Sequence, residues 1–358
     1  MSEGPLPLIY RGSVKDLKGP ITVEGKAAVV FEYTDAYSVF DWGRMPDLLP
    51  RKGEALAMIA AHWFEKLASA ETWREFSKTS EALALRKGNR FGSAFNEIGE
   101  ELQRSGLATH FLRAEFPRRL VVRQVSVVRP VTSTVLGKSL SDYYPTRNAP
   151  APRLVPLEVV FRFSAPPGSS FLERTQVEPG TKWDFPVLEL FTKLESTDRL
   201  VSLSEALAIS GLEAGQLQTL LLKTAWVAAW LKWACARVGL ECADGKLEWG
   251  ISENGECFLV DAIGPDELRL LKGDVQISKE FLRAYYRATS WYEAVKRAKS
   301  EGGSDWKRLV QEAPPSLPER ERELATQVYL SLANALTGKM CFPEAWPLDR
   351  VIQKVRGT

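Results

Sequence analysis

Lys246-Leu247-Glu248-Trp249-Gly250-Ile251 and Cys257-Phe258-Leu259-Val260-Asp261, continuing as Ala262-Ile263-Gly264-Pro265-Asp266-Glu267-Leu268-Arg269, form the most informative stretch of the chain. Two strand-like runs each deliver a carboxylate, Glu248 and Asp261, and the turn beyond adds Asp266 and Arg269. A carboxylate inside an apolar run is costly unless it is paired or bound to a metal. Mg²⁺ favours one or two carboxylates completed by phosphate oxygens and water. The spacing therefore predicts a Mg²⁺–nucleotide site held by Glu248 and Asp261, in an ATP-using enzyme.

Composition narrows the alternatives. The 358 residues exceed one small core and predict two lobes with an appendage. An apolar fraction of 45% with 26% charged residues is that of a globular chain. The 47 basic and 45 acidic side chains nearly cancel, which argues against nucleic acid as a partner and leaves room for a local phosphate pocket. Cys235, Cys242, Cys257 and Cys341 show no CxxC spacing and read as reduced thiols of a cytoplasmic protein. Met1-Ser2-Glu3-Gly4-Pro5 lacks the pattern of a secretory leader. The apolar segment Leu217–Val238 carries Gln218, Lys223, Lys232 and Arg237. It reads as a core helix with Trp226, Trp230 and Trp233 on one stripe, so no membrane is expected. Two histidines, His62 and His110, leave almost no material for histidine-based metal sites or hydrolase triads.

Hairpin-like runs precede helices without the regular alternation of a doubly wound sheet, which favours α+β. Strands are expected over 27–32, 120–128, 154–163 and 187–191. Helices are expected over 53–67, 94–104, 278–299 and 319–336. Ser202 and Glu205 form a capping box for a helix ended by Gly211. Residues 70–92 are polar with mixed charge. Residues 130–153, with four prolines, read as loop.

Several motifs admit both a functional and a plain reading. Gly12-Ser13-Val14-Lys15 is a phosphate-approaching turn or an ordinary hairpin turn. Arg162 with Gly168-Ser169 is a phosphomonoester cradle or a surface turn. Lys193 bridges transferring phosphate oxygens or belongs to a charged loop. Lys279 and Arg283, four apart, grip an anion or form a solvated face. His110 reads as a structural histidine.

The collinear order of these motifs resembles the SAICAR synthetase (phosphoribosylaminoimidazole-succinocarboxamide synthase) family, from Ile9 to about Arg287. Ile9–Asp16 is similar to the family's phosphate-binding strand pair, and Asp35-Ala36-Tyr37-Ser38-Val39-Phe40-Asp41 to its Asp-Arg-x-Ser-Ala-Phe-Asp element. Pro50-Arg51-Lys52-Gly53 stands where the family has Pro-Gly-Lys-Gly, and Gly106–Phe111 where it has Gly-Ile-x-Thr-His-Phe. Pro156-Leu157-Glu158-Val159-Val160-Phe161-Arg162 with Gly168-Ser169 resembles its ribonucleotide-binding stretch. Ser13, Ala36, Arg51 and Ala262 depart from the pattern. Ser13 shifts ATP contacts towards Lys15, and Ala36 and Arg51 bear on substrate or aspartate recognition. Ala262 leaves Glu248 and Asp261 as the retained metal ligands.

The resemblance implies an α+β, two-lobe fold. A nucleotide lobe would span 1–128, and a substrate and metal lobe 129–300 with an insertion at 130–153; a helical extension would cover 301–358. It implies ATP-dependent coupling of L-aspartate to the carboxylate of 5-aminoimidazole-4-carboxylate ribonucleotide, with Mg²⁺. Lys193, Lys246 and Asp261 would be catalytic. Gly12, Ser13, Lys15, Lys193, Glu248 and Asp261 would hold nucleotide and metal. Asp35, Ser38, Asp41, Lys52, Arg162, Gly168, Ser169, Asp266, Arg269, Lys279 and Arg283 would hold substrate. Partners would be small molecules only. Rival readings are a paralogous ligase acting on another heterocyclic carboxylate, a binding protein without turnover, and a kinase-like phosphotransferase. The sequence leaves the oligomeric state open.

Overall fold

A computed structural model of the chain describes residues 6–89, 91–195, 197–301 and 303–357; the stretch 1–5, read above as lacking a secretory leader, lies outside them. Strands β1 (Leu8–Arg11), β2 (Lys15–Val23) and β3 (Lys26–Tyr33) lead into helix α1 (Lys52–Ala68). Helices α2 (Ala70–Phe76), α3 (Ser80–Gly88) and α4 (Ser93–Ser105) follow, then strands β4 (Phe111–Glu115) and β5 (Arg119–Arg123). Next come β6 (Val131–Val135), β7 (Lys138–Asp142), α5 (Tyr144–Arg147), β8 (Arg153–Ser164), α6 (Ser170–Arg174) and β9 (Lys182–Thr192). They are followed by β10 (Leu200–Val201), α7 (Leu203–Ser210), α8 (Ala214–Ala236), β11 (Glu241–Ile251) and β12 (Cys257–Val260). The chain closes with β13 (Leu268–Lys272), β14 (Val275–Gln276), α9 (Glu280–Arg287), α10 (Ser290–Glu301), α11 (Glu319–Thr337) and α12 (Leu348–Arg356). The class is α+β, as expected.

These elements fall into two compact units interleaved along the sequence. One comprises Met1–His62, Phe111–Arg123 and Gly264–Thr358; the other comprises Trp63–His110 and Gln124–Ile263. The first holds an antiparallel sheet ordered β1-β2-β3-β5-β4. Glu24 and Gly25, both at positive φ (50° and 76°), close its β2–β3 hairpin. A two-residue turn of that kind matches the twist of the flanking strands. Ala28, Val30 and Val121 form a buried cluster on one face of this sheet. Where α1 begins, Gly53 packs so close that a Cβ would stand 2.7 Å from the Tyr33 carbonyl oxygen. Only glycine fits there.

The second unit is built on antiparallel strands in the order β10-β9-β8-β11, with β12 also paired to β11. Helix α8 packs on these strands and is buried around much of its circumference. Its Trp226 stacks on Phe95 at 4.9 Å and donates Nε1–H to the Phe95 carbonyl at 3.0 Å. An aromatic of this size withdraws roughly 150–250 Å² from water. At about 25 cal/mol per Å² that burial stabilises the unit by about 4–6 kcal/mol.

Three local expectations are corrected, and the stretch 70–88, left unassigned from the sequence, is resolved. Residues 131–142 form the β6–β7 hairpin rather than loop: alternating valines and threonines favour a strand, and Leu136 and Gly137 take the positive φ of a tight turn. The polar stretch 70–88 is helical, α2 and α3 turning Trp73, Phe76 and Leu85 inward and most of the charges outward, with Arg86 lying over the Trp226 ring. The strand expected over 120–128 stops at Arg123 and is paired by β4. The helix expected over 278–299 is broken at Thr289, whose hydroxyl accepts from the Tyr292 N–H at 3.3 Å and opens α10 as a new helix. All four cysteines are free thiols. Among the described residues no helix is long and apolar enough to cross a membrane.

Candidate active site

In the second unit, Glu158 on β8 and Glu248 on β11 are register partners and so share a face. Like charges directly opposite one another destabilise a sheet. Lys193, just past β9, resolves the conflict: its Nζ lies 2.6 Å from Glu248 Oε1 and 3.3 Å from Glu158 Oε1. Lys246, two residues before Glu248 and on the same face, bonds Glu158 Oε1 at 2.8 Å. The fifth member is Asp261. Directly after β12 its backbone takes φ 67°, which breaks the strand alternation. The buried His110 fixes this turn through Nε2, 3.0 Å from the Asp261 carbonyl oxygen. His110 is therefore structural, as read from the sequence.

Electrostatics follow from this arrangement. Burial disfavours the Lys193 ammonium, but Glu248, Glu158 and Asp261 outweigh it and hold the group above its ordinary range. Burial likewise disfavours the Lys246 ammonium, and Glu158 leads the forces that keep it charged. The Glu158 carboxyl, which burial would raise, is instead held below its ordinary range by Lys246 and Lys193. Glu248 goes the other way: burial first, then the Asp261 carboxylate, push it up to about 7 against the pull of Lys193.

Two lysines thus face three carboxylates, leaving a negative excess centred on Glu248 and Asp261. Among the described residues no group of three or more acidic, histidine or cysteine side chains could cage a metal ion. The donor set suits a hard divalent cation whose remaining positions are filled by phosphate and water, and unlike zinc it needs no sulfur or imidazole. Residues and metal fit on those terms.

Arg162, Gly168 and Ser169 lie on another network of this unit. Arg162, on β8, donates Nε–H to Glu189 at 2.7 Å and Nη1–H to Asp244 at 3.1 Å, and its guanidinium lies 5.3 Å from the Phe171 ring centre. Gly168 occupies the turn at φ 78° with open space where a Cβ would point. Ser169 caps α6, accepting from the Phe171 N–H at 3.4 Å.

The first unit carries the remaining candidates. Gly12 sits in the β1–β2 turn, donating N–H to the Lys15 carbonyl at 3.0 Å; a Cβ there would lie 2.5 Å from that oxygen. Ser13 stands next in this turn, and the Lys15 ammonium lies 4.7 Å above the Phe31 ring centre. Asp35 accepts two bonds from Arg118 (2.8 and 3.0 Å) and one from the Gly53 N–H (3.1 Å), so it anchors the start of α1. Ser38 is buried. Asp41 is exposed and ion-paired to Lys299 at 2.8 Å. Lys52 is wholly buried and bonds Asp266 at 2.9 Å. Lys279 precedes α9 rather than lying within it, and its carbonyl accepts from the Arg283 N–H at 3.2 Å. Arg283 pairs with Glu280 at 3.0 Å, and Arg269 lies on β13.

Two clusters assemble in this way: Lys193, Lys246, Glu248 and Asp261 in one unit, Lys52, Asp266 and Lys279 in the other. Gly12, Ser13 and Lys15 share one turn, while Asp35, Asp41 and Arg162 each bind other partners. Sequence reading missed Glu158 and Tyr329. Glu158 carried a signal, a carboxylate between Leu157 and Val159, of the same kind that singled out Glu248.

Known proteins sharpen the picture. The SAICAR synthetase family profile matches residues 8–298. A provisionally named phosphoribosylaminoimidazole-succinocarboxamide synthase of Archaeoglobus fulgidus is 33% identical over 96% of this chain and 98% of its own length. Among solved structures, SAICAR synthase of Saccharomyces cerevisiae complexed with SAICAR shares the fold with a TM-score of 0.58, at 19% identity over 96% of this chain and 98% of that one. A type-2 SAICAR synthetase in complex with ADP does so at 0.53, with 20% identity over 86% of this chain and 99% of that one. The protein is thus an ATP-dependent ligase by class. The chain belongs to the SAICAR synthetase family of purine biosynthesis.

Proposed function

We propose that this protein is a cytoplasmic enzyme coupling L-aspartate to the carboxylate of 5-aminoimidazole-4-carboxylate ribonucleotide at the expense of ATP, giving SAICAR, ADP and phosphate. The observation that carries the reading is the five-residue cluster of Lys193, Lys246, Glu158, Glu248 and Asp261 in a chain of this family. Its yeast relative is complexed with SAICAR, and another with ADP.

A carboxylate is a poor electrophile. Transfer of the γ-phosphoryl group to one of its oxygens makes an acyl phosphate, which the aspartate amine attacks with loss of phosphate. The protein must align the reactants and neutralise charge on the moving phosphoryl group. Lys193 and Lys246, kept cationic by carboxylates, are suited to the phosphate oxygens. Lys15 with Gly12 and Ser13 would approach the nucleotide from their turn. Glu248 and Asp261 would hold Mg²⁺, which supplies charge neutralisation at the nucleotide phosphates. Arg162, Ser169, Arg269, Lys279 and Arg283 would take the substrate's phosphate and carboxylates, with Asp35, Ser38, Asp41, Lys52, Gly168 and Asp266 shaping their surroundings.

The test is coupled ADP release with each reactant omitted in turn. The proposal requires release to depend on both the ribonucleotide and aspartate. Release without aspartate would identify a phosphotransferase instead.

A further inference from the structure

Lys193 stands beside a strained piece of backbone. Leu194, the next residue, takes φ 79°, a left-handed conformation that leucine rarely adopts. The Leu194 side chain packs against Leu154, Phe258 and Val260, while the Lys193 ammonium reaches Glu158 and Glu248. Backbone of this kind persists only where its surroundings over-determine it. Part of the hold comes from β8, where the Pro156 carbonyl accepts the Lys193 N–H at 3.0 Å.

The rest comes from the base of the β6–β7 hairpin. Val131 and Asp142 pair there, so Arg129 and Tyr143 flank the base on its two sides. Asp142 accepts the Tyr144 N–H at 2.8 Å, a local turn that fixes the Tyr143 backbone at the start of α5. The Tyr143 side chain is buried against the Lys193 turn. Its hydroxyl donates to Glu195 Oε1 at 2.8 Å and lies 3.4 Å from the Lys193 carbonyl oxygen. Arg129 Nη1–H adds a longer bond, 3.5 Å, to the Leu194 carbonyl. Burial first, then Glu195, raise the Tyr143 hydroxyl above its ordinary range, so it stays a donor. Three successive residues, Lys193, Leu194 and Glu195, are thus gripped from one hairpin base.

We propose that Tyr143 is a positioning residue for Lys193: from the hairpin base it pins the Lys193–Glu195 turn, and the turn holds the Lys193 ammonium between Glu158 and Glu248, where it meets the transferring phosphoryl group. The last step rests on the ligase reading above. In this way the 130–153 stretch serves the chemistry without supplying a reacting group.

The test is Tyr143→Phe, which keeps the buried ring and removes only the hydroxyl. Its far-ultraviolet circular dichroism should match that of the wild type. A small misplacement of a group acting on the moving phosphoryl should lower kcat about tenfold, while KM for the ribonucleotide and for aspartate stays within about twofold. In a Lys193→Met background the same substitution should lower kcat by less than about twofold, because the two residues act as one unit. An unchanged kcat, or an equal loss in both backgrounds, would overturn the proposal. Should the phenylalanine variant not fold, Glu195→Ala, which removes the nearer acceptor of the hydroxyl, takes its place in the same cycle.

A substrate-free readout separates this proposal from the ligase reading. Amide hydrogen exchange over Lys193–Glu195, followed by mass spectrometry, should run several-fold faster in Tyr143→Phe than in the wild type, with α8 unchanged. Equal exchange overturns the positioning claim. Faster exchange in a protein whose wild type releases no ADP overturns the ligase reading alone.

Discussion

Glu158 on β8 stands directly opposite Glu248 on β11, and the two carboxylates are tied together by the Lys193 ammonium. Two buried carboxylates facing each other depend on the cation between them. This is why the cluster is sensitive to single changes.

Lys193→Met removes the bridge and a cation suited to the transferring phosphoryl group. Loss of one such donor lowers turnover by about 10²–10³-fold. The expected result is a drop in kcat of that size with far-ultraviolet circular dichroism unchanged. A variant within threefold of wild type would separate Lys193 from the chemistry.

Asp261→Asn keeps the side-chain shape and removes one of the two carboxylates proposed for Mg²⁺. Turnover is expected to fall by orders of magnitude, and the Mg²⁺ concentration giving half-maximal rate to rise. The Asp261 backbone carbonyl keeps its bond to His110. Thermal unfolding should therefore barely move. Near-wild-type activity would place the metal elsewhere.

Arg162 is 5% exposed and neutralises both Glu189 and Asp244. Removing one partner of a buried ion pair leaves uncompensated charge and costs about 3–5 kcal/mol. Arg162→Met should lower unfolding stability by that amount in urea titrations, whether or not substrate is present. A loss of substrate affinity with stability intact would show instead that the guanidinium serves the ligand alone.

The Asp266 carboxyl, which burial would raise, is held below its ordinary value of 3.8 by Lys52, Lys279 and the Tyr329 hydroxyl. A depressed carboxyl stabilises the fold fully above its unfolded pKa and loses that contribution as pH falls through the folded one. The stability gap between wild type and Asp266→Asn should hold steady around pH 6–8 and shrink below about pH 4. A gap that widens in acid would contradict this sign.

Charges set in apolar runs were legible: Glu248 and Asp261 stand out in the sequence because nothing else explains a carboxylate there. Their pairing was not, although Lys193 was itself singled out. Glu158 and Lys193 reach Glu248 only through the β9-β8-β11 strand order, a non-local pairing that no periodicity encodes. The helix α11 was visible through Leu324, Val328, Leu332 and Leu336, and that same apolar stripe concealed the polar role of Tyr329. Lys52 was visible in its motif, but its complete burial depends on elements far along the chain. The β6–β7 hairpin was hidden by flanking prolines, although its valines and threonines carried the strand signal.

Oxygen transfer tests the central claim most directly. With both carboxylate oxygens of the ribonucleotide labelled as ¹⁸O, activation by phosphorylation predicts one labelled oxygen in each phosphate released and the other retained in the amide. Amide formation with no label in the phosphate would contradict it.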